Sequence, residues 1–134
     1  MKKISWVFSL LVATLMTIEV SLATDRVGNF ALLDHQGNYH QLRKYGDSKA
    51  LVIISTAASC IENIEKLPKY RLLRTTWERQ GISFLAINSS SKDDLESVRQ
   101  MDMLHNVDLP ILMDSSQLVA ESLSLSKAGE IIVL

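Results

Sequence analysis

Ala50-Leu51-Val52-Ile53-Ile54-Ser55-Thr56-Ala57-Ala58-Ser59-Cys60 is the stretch on which the architecture turns. Its first seven residues, Ala50–Thr56, form a continuous run dominated by apolar and β-branched side chains. Such runs suit a central strand covered on both faces, where no position needs to face water. Small residues then carry the chain to Cys60. Beyond it a helix is expected over Ile61–Gln80, with an apolar stripe at Ile64, Leu67, Tyr70, Leu73 and Trp77 at spacings of three and four. Pro68 should kink this helix, because a proline nitrogen cannot donate to the preceding turn. Gly81 should end it.

Toward the C-terminus, Ile82–Asn88 repeats the buried-strand pattern. Ser91-Lys92-Asp93-Asp94 fits a capping box opening a helix to about His105, with Leu95, Val98, Met101 and Leu104 facing the core. Leu109–Met113 reads as a third strand, Gln117–Leu123 as a short helix and Glu130–Leu134 as a fourth strand. Toward the N-terminus, Phe30–Leu33 and Tyr39–Leu42 read as a hairpin about the turn Asp34–Asn38, where Gly37 and Asn38 suit positive φ. Strands alternating with helices imply an α/β sandwich with a central sheet and helices on both faces. The chain stops inside an apolar strand. The expectation is a truncated coding sequence or fragment, with a shortened natural domain as the alternative.

The chain has 134 residues and a formal charge of −1, which fits one domain and excludes a multidomain enzyme. Near-neutral charge leaves no electrostatic footprint for nucleic acid. One cysteine excludes an internal disulfide and multi-cysteine zinc or iron–sulfur sites. Lys2-Lys3, the apolar run Ile4–Ile18 and Ser21-Leu22-Ala23 have the layout of a secretory signal peptide. Residues 1–23 are therefore read as a bacterial export signal and 24–134 as the domain, periplasmic or secreted, with no stable membrane span after cleavage. The alternative is an uncleaved anchor, although the run is short for a membrane helix.

The order of elements, with Cys60 between a central strand and a kinked helix, resembles the redoxin branch of the thioredoxin-like superfamily. That branch includes the alkyl hydroperoxide reductase/thiol-specific antioxidant (AhpC/TSA) proteins. The matching stretches are Phe30–Asp34 with Gly37 and Leu42, Leu51–Thr56, Cys60 with Pro68 eight residues on, Gly81–Asn88, Leu109–Asp114 and Glu130–Leu134. The resemblance implies a three-layer thioredoxin-like sandwich with a mixed sheet and an N-terminal β-hairpin. It also marks departures. Asn63 holds the resolving position of Cys-x-x-Cys. Ile53 and Ala57 stand where a peroxiredoxin has the Pro and Thr of Pro-x-x-x-Thr-x-x-Cys. Lys127-Ala128-Gly129 stands where peroxiredoxins carry an Arg, with Gly129 in place of the superfamily's cis-proline.

Cys60 is the candidate catalytic residue, because a thiolate at a helix N-terminus is favoured by the dipole and nearby N–H groups. Thr56 and Ser59 are candidate donors beside it, and Gly129 is a candidate binding position. Glu62 and Glu65 oppose the thiolate, and Lys66 offsets them. With a single thiol, peroxide reduction stops at a sulfenic acid that an external thiol must resolve. The leading expectation is an exported redoxin using Cys60 alone to reduce peroxides or disulfides, with an external thiol as partner. The alternatives are an inert, partly buried Cys60 and a catalytically degenerate thioredoxin-like module that binds a protein partner. No cofactor or metal is expected. His35 and His40 read as exposed turn residues, His105 as a helix-end residue, and Tyr70 and Trp77 as core. Asn88-Ser89-Ser90 matches a glycosylation sequon but reads as a strand-to-helix loop.

Overall fold

The computed structural model describes residues 27–134; the signal-peptide expectation for residues 1–23 lies outside them. The elements are β1 (Ala31–Leu33), β2 (Tyr39–Gln41), β3 (Ala50–Thr56), α1 (Ile61–Ile64), α2 (Leu67–Trp77), β4 (Ile82–Asn88), α3 (Leu95–His105), β5 (Ile111–Met113), α4 (Leu118–Ser122) and β6 (Ile131–Val133). The expected bounds of β3 and β4 match residue for residue.

A four-stranded mixed sheet runs in the order β5-β4-β3-β6. β3 is parallel to β4, with Ile53 beside Leu85, and antiparallel to β6, with Ile53 beside Ile132. Alternation along the two inner strands divides the core. Ile54, Phe84 and Ala86 pack with Leu67 and Tyr70 of α2 and with Val98 and Met101 of α3. Leu51, Ile53, Leu85 and Ile87 face the other way, onto Phe30, Val119 and Leu123. The sheet is thus filled on both sides, as the continuous apolar runs required.

The single kinked helix is corrected to two. α1 ends at Ile64, and Pro68 sits in the first turn of α2, where its missing N–H leaves no bond unmade. The break falls before the proline rather than at it. Gly81 does end this segment, with φ +89° after a 3₁₀ turn over Glu78–Gln80. The stripe also fades toward its end. Leu67 and Tyr70 are buried, but Leu73 and Trp77 are about 40% exposed, so Trp77 is not the core residue expected. In α3, Val98 and Met101 are buried, while Leu95 and Leu104 face outward. Its capping box lies three residues on from the expected cap Ser91: Asp94 accepts from Ser97 N–H at 2.8 Å, and Asp94 N–H donates to Ser97 Oγ.

The hairpin β1–β2 docks on the β5 edge. His35 N–H donates to Ile111 O, and Ile111 N–H donates back to His35 Nδ1, so Nε2–H donates to Asp102 at 3.0 Å. His40 Nε2–H donates to Asp34 and its Nδ1 accepts from Tyr45. The expectation of exposed histidines is overturned. Both rings pin the hairpin, and His35 is buried.

Candidate functional site

The site forms where the sheet's parallel strands end, beyond the last residues of β3 and β4. Open α/β sheets place ligands there, because loops diverge and leave a crevice. Thr56 closes β3, and Ala57-Ala58-Ser59 turns the chain to Cys60, the residue that caps α1. Cys60 is a free, partly exposed thiol whose side chain makes no capping bond to the helix. α1 has only four residues, so the helix dipole expected at the sulfur is small.

The turn before Cys60 is held by two side chains. Asn63, 1% exposed, accepts through Oδ1 from Thr56 Oγ1 at 2.7 Å and from Ala57 N–H at 3.1 Å. The Asp93 carboxylate accepts from Ala58 N–H at 2.6 Å, Ser59 N–H at 3.0 Å and Asn88 Nδ2 at 2.8 Å. Three successive backbone donors are thereby fixed, and the loop cannot recoil from Cys60 without orphaning them. Asn88, the sequon residue, is buried in this lattice.

Cys60, Thr56 and Ser59 border one cavity of about 720 Å³, open to solvent. Ser89, Ser90 and Lys92 of the loop after β4 form a second wall. Gln117 and Glu121 of the α4 region, with Lys127 and Ala128 of the turn before β6, close the far side. Thr56 therefore reaches the site, but its hydroxyl is spent on Asn63 rather than on the thiol. Ser59 Oγ faces Ser90 Oγ at 3.5 Å.

Gly129 is one residue beyond the cavity wall. Its N–H donates to Ser55 O at 2.7 Å, drawing the turn against the end of β3. Its φ of +92° demands glycine, and no cis peptide occurs among the described residues. Glu130 folds back on the same turn. Bonds from Lys127 N–H and Ser126 N–H hold its carboxyl below its usual range.

Asn63, Asp93, Lys92 and Lys127 went unmarked by sequence reasoning as site residues. No spacing rule announces Asp93, because the two backbone donors it holds lie 34 and 35 residues away. In the sequence Asn63 marks only the position of an absent second thiol. Its position in the first turn of α1, pointing at the β3 loop, is a tertiary fact.

A family model for the AhpC/TSA family matches residues 23–132. Among solved structures, a hypothetical protein from Sinorhizobium meliloti is similar at a TM-score of 0.73 and 25% identity, over 81% of this chain and 62% of that one. The chain thus spans a little under two thirds of that relative's length. The peroxidoxin BcpB of Mycobacterium tuberculosis gives 0.64 and 19%, over 79% of this chain and 69% of that one. A secreted disulfide oxidoreductase of the same organism, homologous to DsbE of E. coli, gives 0.65 and 11%, over 78% and 81%. No curated protein matches the sequence. No helix among the described residues is long and apolar enough to cross a membrane. With the family model matching residues 23–132 and solved redoxin structures superposing over most of the chain, this protein belongs to the AhpC/TSA family and has the thioredoxin-like fold.

Proposed function

We propose that the protein is an exported thiol oxidoreductase that works through Cys60 alone and draws its second thiol from outside. The observation that carries this reading is a partly exposed Cys60 on the wall of an open cavity of about 720 Å³. That volume admits an organic disulfide or hydroperoxide. Asn63, facing the β3 loop from the first turn of α1, offers no sulfur.

With a disulfide, the Cys60 thiolate attacks one sulfur, forms a mixed disulfide and expels the other sulfur as a thiolate. An external thiolate then attacks the mixed bond and releases Cys60. With a hydroperoxide, the thiolate takes the outer oxygen to give a sulfenic acid, and the alkoxide leaves as the alcohol after gaining a proton. One external thiol condenses with the sulfenic acid to release water, and a second frees Cys60 as the external disulfide. Lys92 and Lys127 at the rim favour anionic reactants through their charge.

Export follows from the layout of residues 1–23 and suits an electrophile met outside the cytosol. The test is steady-state turnover of an organic disulfide and of cumene hydroperoxide with dithiothreitol as reductant, in wild type and Cys60→Ser. Turnover in wild type that vanishes in the variant supports the reading. Absence of turnover in both overturns it, and partner binding unchanged in Cys60→Ser would then favour the protein-binding module.

A further inference from the structure

Asn63 has a second, unused end. Its Nδ2 is buried and has no hydrogen-bond partner, although its residue is 1% exposed. A buried amide N–H without an acceptor is costly, and natural proteins tolerate one where something else supplies the acceptor. The space it faces is defined by Gly129. A Cβ built on that glycine would lie 3.6 Å from Lys66 Nζ, 3.6 Å from Tyr70 Oη and 3.8 Å from Asn63 Nδ2. An ammonium, a phenol and an amide thus converge on one point beside the Gly129 backbone, each within van der Waals reach of it.

All three can donate. Lys66 makes no ion pair among the described residues. The Tyr70 hydroxyl has one long bond, to Gly129 O at 3.5 Å. Burial pushes its phenol above the ordinary value, so it stays protonated. Of the nearby carboxylates, Glu130 is engaged by Ser126 and Lys127, while Glu62 and Glu65 are exposed.

We propose that Asn63 Nδ2, Lys66 Nζ and Tyr70 Oη form a carboxylate-binding subsite beside Gly129, which takes the carboxylate of a small thiol or disulfide reacting at Cys60. The substrate assignment rests on the single-thiol reading above; the subsite itself does not. One positive charge and two neutral donors match a planar monoanion with two acceptor oxygens. The location suits it: Ala128 lines the Cys60 cavity, and Asn63 N–H donates to Cys60 O at 3.1 Å. An acidic co-substrate anchored here is held beside the sulfur.

The subsite is tested first without the thiol. Full-length Cys60→Ser protein is titrated with sodium acetate and, in parallel, sodium chloride, while the Asn63 side-chain amide and the Gly129 N–H are followed by NMR. Saturable acetate shifts at both, abolished by Lys66→Gln and weakened by Tyr70→Phe, support the site. Absent shifts, equal shifts with chloride, or shifts unaffected by Lys66→Gln overturn it and leave ordered water as the occupant. The second arm compares Cys60 reaction rates with a dicarboxylate aromatic disulfide and with uncharged dithiodipyridine. Lys66→Gln should lower the ratio of the two rates about fivefold, the upper scale of one solvent-exposed ion pair. An unchanged ratio overturns the substrate assignment. Acetate binding together with a Cys60 inert to both reagents sustains the subsite and overturns the redox reading.

Discussion

Asp93 accepts three hydrogen bonds, and two of them are the backbone donors that immediately precede Cys60. Removing it orphans Ala58 N–H and the buried Asn88 amide. Asp93→Ala should therefore cost about 2 kcal/mol of stability, read as a lower urea midpoint with unchanged m-value. The thiol reaction should slow as well, because the loop is no longer held. Asp34 shows how opposed effects resolve at one carboxyl. Burial alone would raise its pKa, but bonds from His40, the Asn38 N–H and side chain, and the Gln36 N–H together outweigh burial and hold it below the usual carboxylate range. A carboxyl lowered in the folded state stabilises fully above its unfolded value of about 4, and loses that contribution as pH falls through the folded value. Urea stability from pH 6 down to pH 2 should fall on the acid side for wild type. The part of that slope due to Asp34 should be missing in Asp34→Asn.

At the level of elements, glycine and proline act through backbone geometry. Gly81 holds φ +89° at the end of the α2 segment, and a Cβ there would meet only the Lys49 side chain at 3.5 Å. Space is adequate and conformation is not, so Gly81→Ala should destabilise by about 1 kcal/mol through backbone strain alone, measured by thermal or urea melting. Pro68→Ala should change stability by less than about 1 kcal/mol, because Pro68 sits in the first turn and breaks no bond. The contrast explains what was legible in the sequence. β3 and β4 were readable because a doubly covered strand carries consecutive apolar residues, as at Ala50–Ile54 and Phe84–Ile87, a local signature of burial. Gly81 was readable because one residue type answers one φ demand. The break between α1 and α2 was not, because Ile64, Leu67 and Tyr70 keep helical spacing across it. Leu104 and Trp77 looked like core because periodicity marks a face, whereas burial depends on how far the sheet extends beneath it. The site was half legible. Cys60 stood out by type, but Asp93 acts across the fold on donors 34 and 35 residues away, and Asn63 reaches back over a turn that no periodic pattern announces.

Across the whole molecule, the two clusters are separated by β3 and β4, and each strand contributes alternately to both. Ile53 and Ile54 are adjacent, fully buried and directed into opposite clusters. Ile53→Ala and Ile54→Ala should each cost about 3–4 kcal/mol by cavity formation, with nearly equal effects despite pointing to opposite faces. A much smaller loss at either would mean that one layer is loosely packed. The same sheet carries the loops that hold Cys60, so both substitutions leave the thiol's surroundings intact until the protein unfolds.

Folding presents Cys60 to solvent rather than hiding it. Intact-mass spectrometry of the full chain after brief exposure to an equimolar small disulfide, in buffer and in concentrated urea, tests it most directly. One adduct at Cys60 should form at a comparable or faster rate in buffer and be released quantitatively by added thiol. Labelling that occurs only in urea would contradict it.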